Sequence, residues 1–242
     1  MEDEGGHRVM RATIAGMCGR YALYGPVSRK NRHAIEFLER EIDFAPRYNA
    51  APTQKLPVFR VSSEHRRELA LLRWGLIPSW AKDASIGARM INARAETVAE
   101  KPAFRAAFKR RRCLVPMSGY YEWRKAAGKK VPYFIRPLNT EVFAAAGLHE
   151  YWPGKDGAEP IESYTIITTA ANELMRMLYE RMPVLLPQSD YEAWLDPGNE
   201  QTDALKDMLK PYPAEEMRAY PISLLVNNVK NDRPEIIEPV DV

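Results

Sequence analysis

Two cysteines and four histidines are all that 242 residues provide of the side chains that most often ligate metals or pair oxidatively. Cys18 and Cys113 make no disulfide framework. No Cys/His set has the spacing of a tetrahedral site, so neither a metal nor a cofactor is expected. The same scarcity makes a reducing compartment the default, and the cytoplasm is the expected location. No run approaches the ~18 apolar residues of a membrane span, so no membrane contact is expected. Internal repeats and low-complexity linkers are absent. Charge of one sign is lacking too: 35 basic and 32 acidic residues leave a net +3. That balance does not by itself indicate nucleic-acid binding, although it allows a local basic face.

What is present is an ordinary globular composition, 45% hydrophobic and 28% charged, in a chain long enough to bury a substantial core. The 19 prolines are spread throughout, which suits short strands and irregular loops. Helical patterns are predicted over Ser28–Phe44, around Pro102–Arg111, and over Asn172–Tyr179, Asp190–Leu195 and Thr202–Lys210. Strands are predicted over Leu56–Val61, Leu69–Trp74, Cys113–Pro116, Tyr133–Arg136, Val142–Gly147 and Tyr164–Thr169. Strands do not alternate with long helices, which argues against a doubly wound parallel sheet. The expected fold is α+β: one domain over residues 17–242 with a curved, mostly antiparallel sheet or barrel flanked by short helices. No additional apolar stripe is apparent, so a monomer is expected.

Met17-Cys18-Gly19-Arg20-Tyr21 reads as a second start behind a polar leader, Met1–Gly16. The leader begins acidic, and its apolar stretch Ala12–Ala15 is far too short for a signal peptide. It is either a disordered tail or translated upstream sequence. Removal of Met17 would leave Cys18 with a free α-amine beside its thiol. Such an amine has a pKa of about 7.7–8.0, so much of it is neutral and nucleophilic at neutral pH. It condenses with an aldehyde to a Schiff base, and the thiol then closes a five-membered thiazolidine. The plainer alternative is an internal, buried Cys18 that opens a first strand.

Several segments combine aromatic, amide and charged residues. Arg47-Tyr48-Asn49-Ala50-Ala51-Pro52-Thr53 places an amide before a proline. Arg73-Trp74-Gly75-Leu76-Ile77-Pro78-Ser79-Trp80 holds two tryptophans. Asn92-Ala93-Arg94-Ala95-Glu96 would direct Asn92, Arg94 and Glu96 to one face of an extended segment. Ser118-Gly119-Tyr120-Tyr121-Glu122-Trp123 sets one carboxylate among aromatics, where desolvation raises a pKa and makes a general acid. Arg181-Met182-Pro183 follows the helix ending at Tyr179. Each also has a structural reading: core aromatics, surface ion pairs for Arg94 and Arg181, or turn-satisfying amides for Asn49 and Asn92.

Taken in order, these segments resemble the SOS-response-associated peptidase (SRAP) family of abasic-site processing proteins. The resemblance runs from Met17 through Arg-Cys-Leu-Val-Pro, Ala-Gly-Leu-His-Glu and Arg-Met-Pro-Val to Val226-Asn227-Asn228, Asn231-Asp232 and Ile237-Glu238-Pro239-Val240. It implies covalent capture of abasic sites in single-stranded DNA by a thiazolidine at Cys18, after autocatalytic removal of the preceding residue. It further implies a protein that associates with the nucleoid when bound to DNA. By position, Cys18 is the nucleophile, Glu122 the general acid/base, and Asn92 a group that orients the amine or the sugar. Arg20, Arg94 and Arg181 would hold phosphates, Trp74 and Trp80 would wall bases, and Asn49 falls among the DNA-contacting residues.

One departure stands out. The family usually has a histidine two residues before Arg-Met-Pro, and Tyr179 occupies that position. A phenol of pKa near 10 donates a hydrogen bond but is a poor base at neutral pH, so slow crosslink release is expected. His149 stands where an aromatic is common, and is read here as a structural histidine. Two rival readings remain open: an N-terminal-cysteine peptidase acting in trans, and a non-covalent single-strand-binding protein.

Overall fold

The structure, a computed structural model, describes residues 18–24, 44–126 and 128–241. The leader Met1–Gly16 and, up to residue 43, the helix expected over Ser28–Phe44 lie outside the described residues. Thirteen strands are described: β1 (Tyr21–Leu23), β2 (Arg47–Ala50), β3 (Lys55–Val61), β4 (Arg67–Trp74), β5 (Asn92–Arg94), β6 (Arg112–Met117), β7 (Gly119–Ala126), β8 (Lys129–Pro137), β9 (Phe143–Trp152), β10 (Ile161–Ala170), β11 (Arg181–Pro183), β12 (Leu185–Leu186) and β13 (Met217–Pro221). The helices are α1 (Arg105–Arg110), α2 (Glu173–Arg176), α3 (Tyr191–Leu195) and α4 (Thr202–Asp207).

Five of the strands close into a ring. β3 pairs antiparallel with β4 and β6, β6 with β9, and β9 with β10, while β10 returns to β4 in parallel. Closure removes the exposed edges that an open sheet would present. It also crowds the seam. A Cβ on Gly147 of β9 would lie 2.9 Å from Cys113 Sγ and 3.0 Å from the Thr165 carbonyl oxygen, so the run Ala144-Ala145-Ala146-Gly147 is small because three strands meet there. The barrel is filled by Leu56, Val58, Leu72, Trp74, Leu114 and Ile166, all buried.

The second sheet, ordered β13-β8-β7-β1-β2, is antiparallel throughout. One face puts Tyr21, Leu23, Tyr120, Ile135 and Met217 into the same core as the barrel. The opposite face, with Ala22, Tyr121 and Phe134, is covered by Ile222, Val226 and Ile236 of the C-terminal segment. Both faces of β7 are therefore buried near its start. The sequence Gly-Tyr-Tyr-Glu-Trp consequently shows no polar/apolar alternation, and the strand escaped the sequence reading. Gly119 opens β7 because a Cβ there would stand 2.0 Å from the Phe134 ring.

The fold is thus α+β, dominated by curved, mostly antiparallel sheets with few short helices. Each helix is shorter than its sequence pattern. The pattern over Asn172–Tyr179 yields only α2, with Asn172 Oδ1 accepting from the Met175 amide at 2.9 Å. Helices of four to six residues cannot nucleate on propensity and are held by tertiary contacts. Arg112 illustrates this: buried on β6, it donates to the carbonyls of Phe108 and Lys109 at the end of α1 and of Trp194 and Asp196 at the end of α3.

Candidate active site

Cys18 stands three residues before β1, and β1 lies beside β7 with Tyr21 opposite Tyr120. The Tyr121 amide donates to the Arg20 carbonyl at 3.1 Å. This pairing carries Cys18 alongside Glu122, two residues beyond Tyr120 on the same face of β7. The Cys18 backbone nitrogen donates to Glu122 Oε1 at 2.6 Å. With Met17 attached, that atom is a peptide nitrogen; in a chain beginning at Cys18 it would be the α-amine. Cys18 is 2% and Glu122 4% exposed, and Cys18 carries a φ of 21°, at the margin of the left-handed region.

Burial sets the electrostatics. It raises the Glu122 carboxyl to about 7, against partly compensating hydrogen bonds from Cys18 and the Trp123 amide. Both protonation states are therefore populated at neutral pH, as a group that must give and take protons requires. Burial likewise pushes the Cys18 thiol well above its usual range. The charge of Glu122 adds to that rise, and Arg181 opposes it. The thiol is consequently protonated at neutral pH in this environment.

Tyr179 follows α2 and is half-buried. Its pKa is raised, first by burial and then by Glu122, Glu180 and Cys18, which places it within electrostatic reach of Cys18. β5 pairs in parallel with β10, with Thr168 opposite Arg94. Ala93 is buried while Asn92 is half-buried and Arg94 exposed, as the alternating pattern required. Arg181 on β11 grips both oxygens of Glu96, with Nη2 at 2.9 Å from Oε2, and donates to the Thr168 carbonyl at 2.7 Å. The pairing holds the Glu96 carboxyl below its usual range. Arg181 is thus engaged by a carboxylate, and a phosphate would have to share or displace that partner.

Three of the expected DNA contacts are otherwise engaged. Trp74 is fully buried, its Nε1 donating to the Ile91 carbonyl at 2.9 Å, with its ring between Tyr21 and Tyr164. It is a core residue and cannot stack on a base. Asn49 is also fully buried. Its Nδ2 donates to the carbonyls of Val226, Asn228 and Asn231, and its Oδ1 accepts from Arg20 at 2.7 Å. Arg20 donates a second bond to the Val226 carbonyl at 2.9 Å. Asn49 and Arg20 therefore bind the C-terminal segment to β1 and β2. Asp232 completes the staple: it accepts from the amides of Tyr48 and Asn49 and pairs with Arg47 at 2.7 Å. The sequence reading gave Asp232 no role, because its partners lie more than 180 residues away.

Trp80, by contrast, is 55% exposed. His149 is buried and its pKa lowered to about 3, by burial first and then by Arg60 and Arg111; it is a neutral structural histidine. Among the described residues no group of three or more His, Cys, Asp or Glu side chains could hold a metal ion, and no helix is long and apolar enough to cross a membrane.

The sequence profile of the SOS response associated peptidase (SRAP) family matches residues 17–229. The chain is 44% identical over 226 residues to the abasic site processing protein YoqW of Bacillus subtilis, covering 92% of this chain and 99% of that one. It is 32% identical over 268 residues to the abasic site processing protein HMCES of Gallus gallus, covering 93% of this chain and 79% of that one. A crystal structure of a protein from Bacteroides thetaiotaomicron superposes with a TM-score of 0.74 at 34% identity, over 80% of this chain and 85% of that one. The chain belongs to the SOS response associated peptidase family.

Proposed function

We propose that this protein processes abasic sites in single-stranded DNA by covalent capture through Cys18, once the bond between Met17 and Cys18 has been cut. The observation that carries this reading is the 2.6 Å contact between the Cys18 nitrogen and Glu122, a carboxyl held near neutrality. The names of its relatives in Bacillus subtilis and Gallus gallus point to the same substrate.

Glu122 serves the nitrogen in every step. As the Met17–Cys18 bond is hydrolysed, water adds to the carbonyl carbon and the carboxylic acid delivers a proton to the departing nitrogen. The freed amine adds to the aldehyde carbon C1′ of the ring-opened sugar. Glu122 carries one nitrogen proton to the oxygen to give the carbinolamine and then the second, and water leaves to give the Schiff base. The Cys18 thiol then adds across the C=N bond: sulfur joins C1′, the proton goes to nitrogen, and the five-membered ring closes. Because burial keeps the thiol protonated, amine attack comes first and sulfur second. Arg94 and Trp80, both exposed, contact phosphate and base outside this pocket, and Asn92 orients the sugar.

The test is denaturing gel electrophoresis of protein beginning at Cys18 after mixing with single-stranded DNA carrying one abasic site. A heat-stable shifted band that requires both Cys18 and the lesion is expected. Equal retention of intact and abasic DNA, with no covalent band, would instead leave a non-covalent binder.

A further inference from the structure

Five tyrosines are buried among the described residues: Tyr21, Tyr120, Tyr121, Tyr164 and Tyr191. Four have partners for their hydroxyls. Tyr21 and Tyr164 bond each other at 2.9 Å, Tyr121 donates to the Tyr48 carbonyl, and the Tyr191 oxygen accepts from the Ala144 amide at 3.0 Å. The hydroxyl of Tyr120 has none, although the residue is 1% exposed. Buried hydroxyls without a partner are uncommon in folded proteins, and each calls for an explanation. Tyr120 lies two residues before Glu122 on the same face of β7, and pairs across the sheet with Tyr21, three residues after Cys18. Tyr120 therefore shares a face of β7 with Glu122, and Cys18 and Glu122 are the ionisable groups whose fields reach its hydroxyl.

The chemistry proposed above leaves one atom unattended. Glu122 protonates the C1′ oxygen only after the C1′–N bond has formed; while the amine adds to the sugar aldehyde, negative charge develops on that oxygen with no donor assigned to it. A fixed donor aimed at such an oxygen is commonly the largest single contribution to a reaction of this kind. Burial first, then the charges of Cys18 and Glu122, hold the Tyr120 phenol far above its usual range. It is therefore a permanent O–H donor at neutral pH and takes no part as an acid or base.

We infer that the unpartnered Tyr120 hydroxyl is the hydrogen-bond donor for the aldehyde oxygen of the abasic sugar during attack by the Cys18 amine. The inference rests on the covalent reading. In the step, the nitrogen lone pair forms the C1′–N bond and the C=O π pair moves onto oxygen. Tyr120 O–H donates to that oxygen, and the two amine protons pass in turn through Glu122 to it, so that it departs as water. Tyr120 ends the step unchanged.

The test uses wild type and Tyr120→Phe, both beginning at Cys18. Three quantities are read: the single-turnover crosslinking rate at saturating protein, the affinity for an oligonucleotide carrying a tetrahydrofuran in place of the abasic sugar, and the thermal midpoint. The tetrahydrofuran has no aldehyde, so its binding reports the DNA surface alone. Tyr120→Phe is expected to slow crosslinking about 100-fold, to leave tetrahydrofuran binding unchanged, and to leave the midpoint unchanged or raised, because an unsatisfied polar group is removed. A crosslinking rate within twofold of wild type would overturn the inference and leave the covalent reading standing. So would a rate that falls only in step with tetrahydrofuran binding and the thermal midpoint. Failure of the wild type to crosslink would overturn both.

Discussion

The nitrogen of Cys18 and Oε1 of Glu122 lie 2.6 Å apart across 104 residues of sequence. Glutamine at position 122 would keep the shape and the acceptor oxygen but could not exchange a proton. Crosslinking by Glu122→Gln should therefore fall by about 100- to 10,000-fold. The wild-type rate should show an inflection from Glu122, whose carboxyl pKa is raised by burial, and the variant should lose that inflection. Rapid-quench rates from pH 5 to 9 test this; an unchanged profile in the variant would remove Glu122 from the chemistry.

The same residue shapes stability. Its folded-state pKa, about 7, lies above the ordinary 4.5, so the folded protein binds that proton more tightly than the unfolded chain. The stabilisation is fully present below pH 4.5 and is lost as pH rises through 7, amounting to about 3 kcal/mol. Glu122→Gln should lack this loss. Chemical denaturation at pH 5 and 8, on chains that retain Met17, should show the wild type losing stability relative to the variant.

Tyr179 stands where the resemblance leads one to expect a histidine, and its pKa is raised further from neutrality. It cannot act as a base in reopening the thiazolidine. Release from the wild type is therefore expected to be slow, and Tyr179→His to accelerate it about tenfold or more. Chasing preformed crosslink with excess abasic DNA measures this directly; equal release rates would contradict it.

Asn49 joins β2 to the C-terminal segment through three donated bonds and accepts a fourth from Arg20. Asn49→Ala leaves several buried groups unpaired, each at about 1–3 kcal/mol. The variant should melt at a markedly lower temperature, yet bind DNA normally per folded molecule. A loss of DNA affinity with unchanged melting would restore Asn49 as a DNA contact.

The two tryptophans of Trp-Gly-Leu-Ile-Pro-Ser-Trp should separate cleanly. Trp74→Ala should destabilise by about 3–5 kcal/mol, as expected for a buried aromatic. Trp80→Ala should leave the melting temperature alone and weaken single-strand binding by about 1–3 kcal/mol, the contribution of one stacked base. Calorimetry and fluorescence anisotropy on both variants decide between these roles.

How far the chain could be read depended on how local each interaction is. Glu122 was legible as a carboxylate in an aromatic stretch, but its immediate neighbours Tyr121 and Trp123 pack on the opposite face of β7, so the sequence suggested its burial without showing what buries it. Asn92 and Arg94 were legible as a face because alternation is a property of three consecutive residues. The different fates of Trp74 and Trp80 were not legible, since barrel closure through β10 is a pairing between distant segments. Arg20 and Asn49 read as DNA contacts because polar residues near a nucleophile suggest a substrate. Their partners, Val226 to Asp232, lie at the other end of the chain. Tyr120 was overlooked because the lack of a hydrogen-bond partner is a fact about the space around a hydroxyl.

Chain ends are usually where a protein frays. Here the residue proposed to become the first one sits three positions before β1, which is paired on both sides, with β2 and β7. A newly exposed terminus would remain moored in the middle of a sheet, its amine confined beside a proton carrier instead of sweeping through solvent. Confinement of this kind raises the effective concentration of a nucleophile by orders of magnitude. An ordinary amine thereby becomes fast, but only towards an aldehyde that is brought to it.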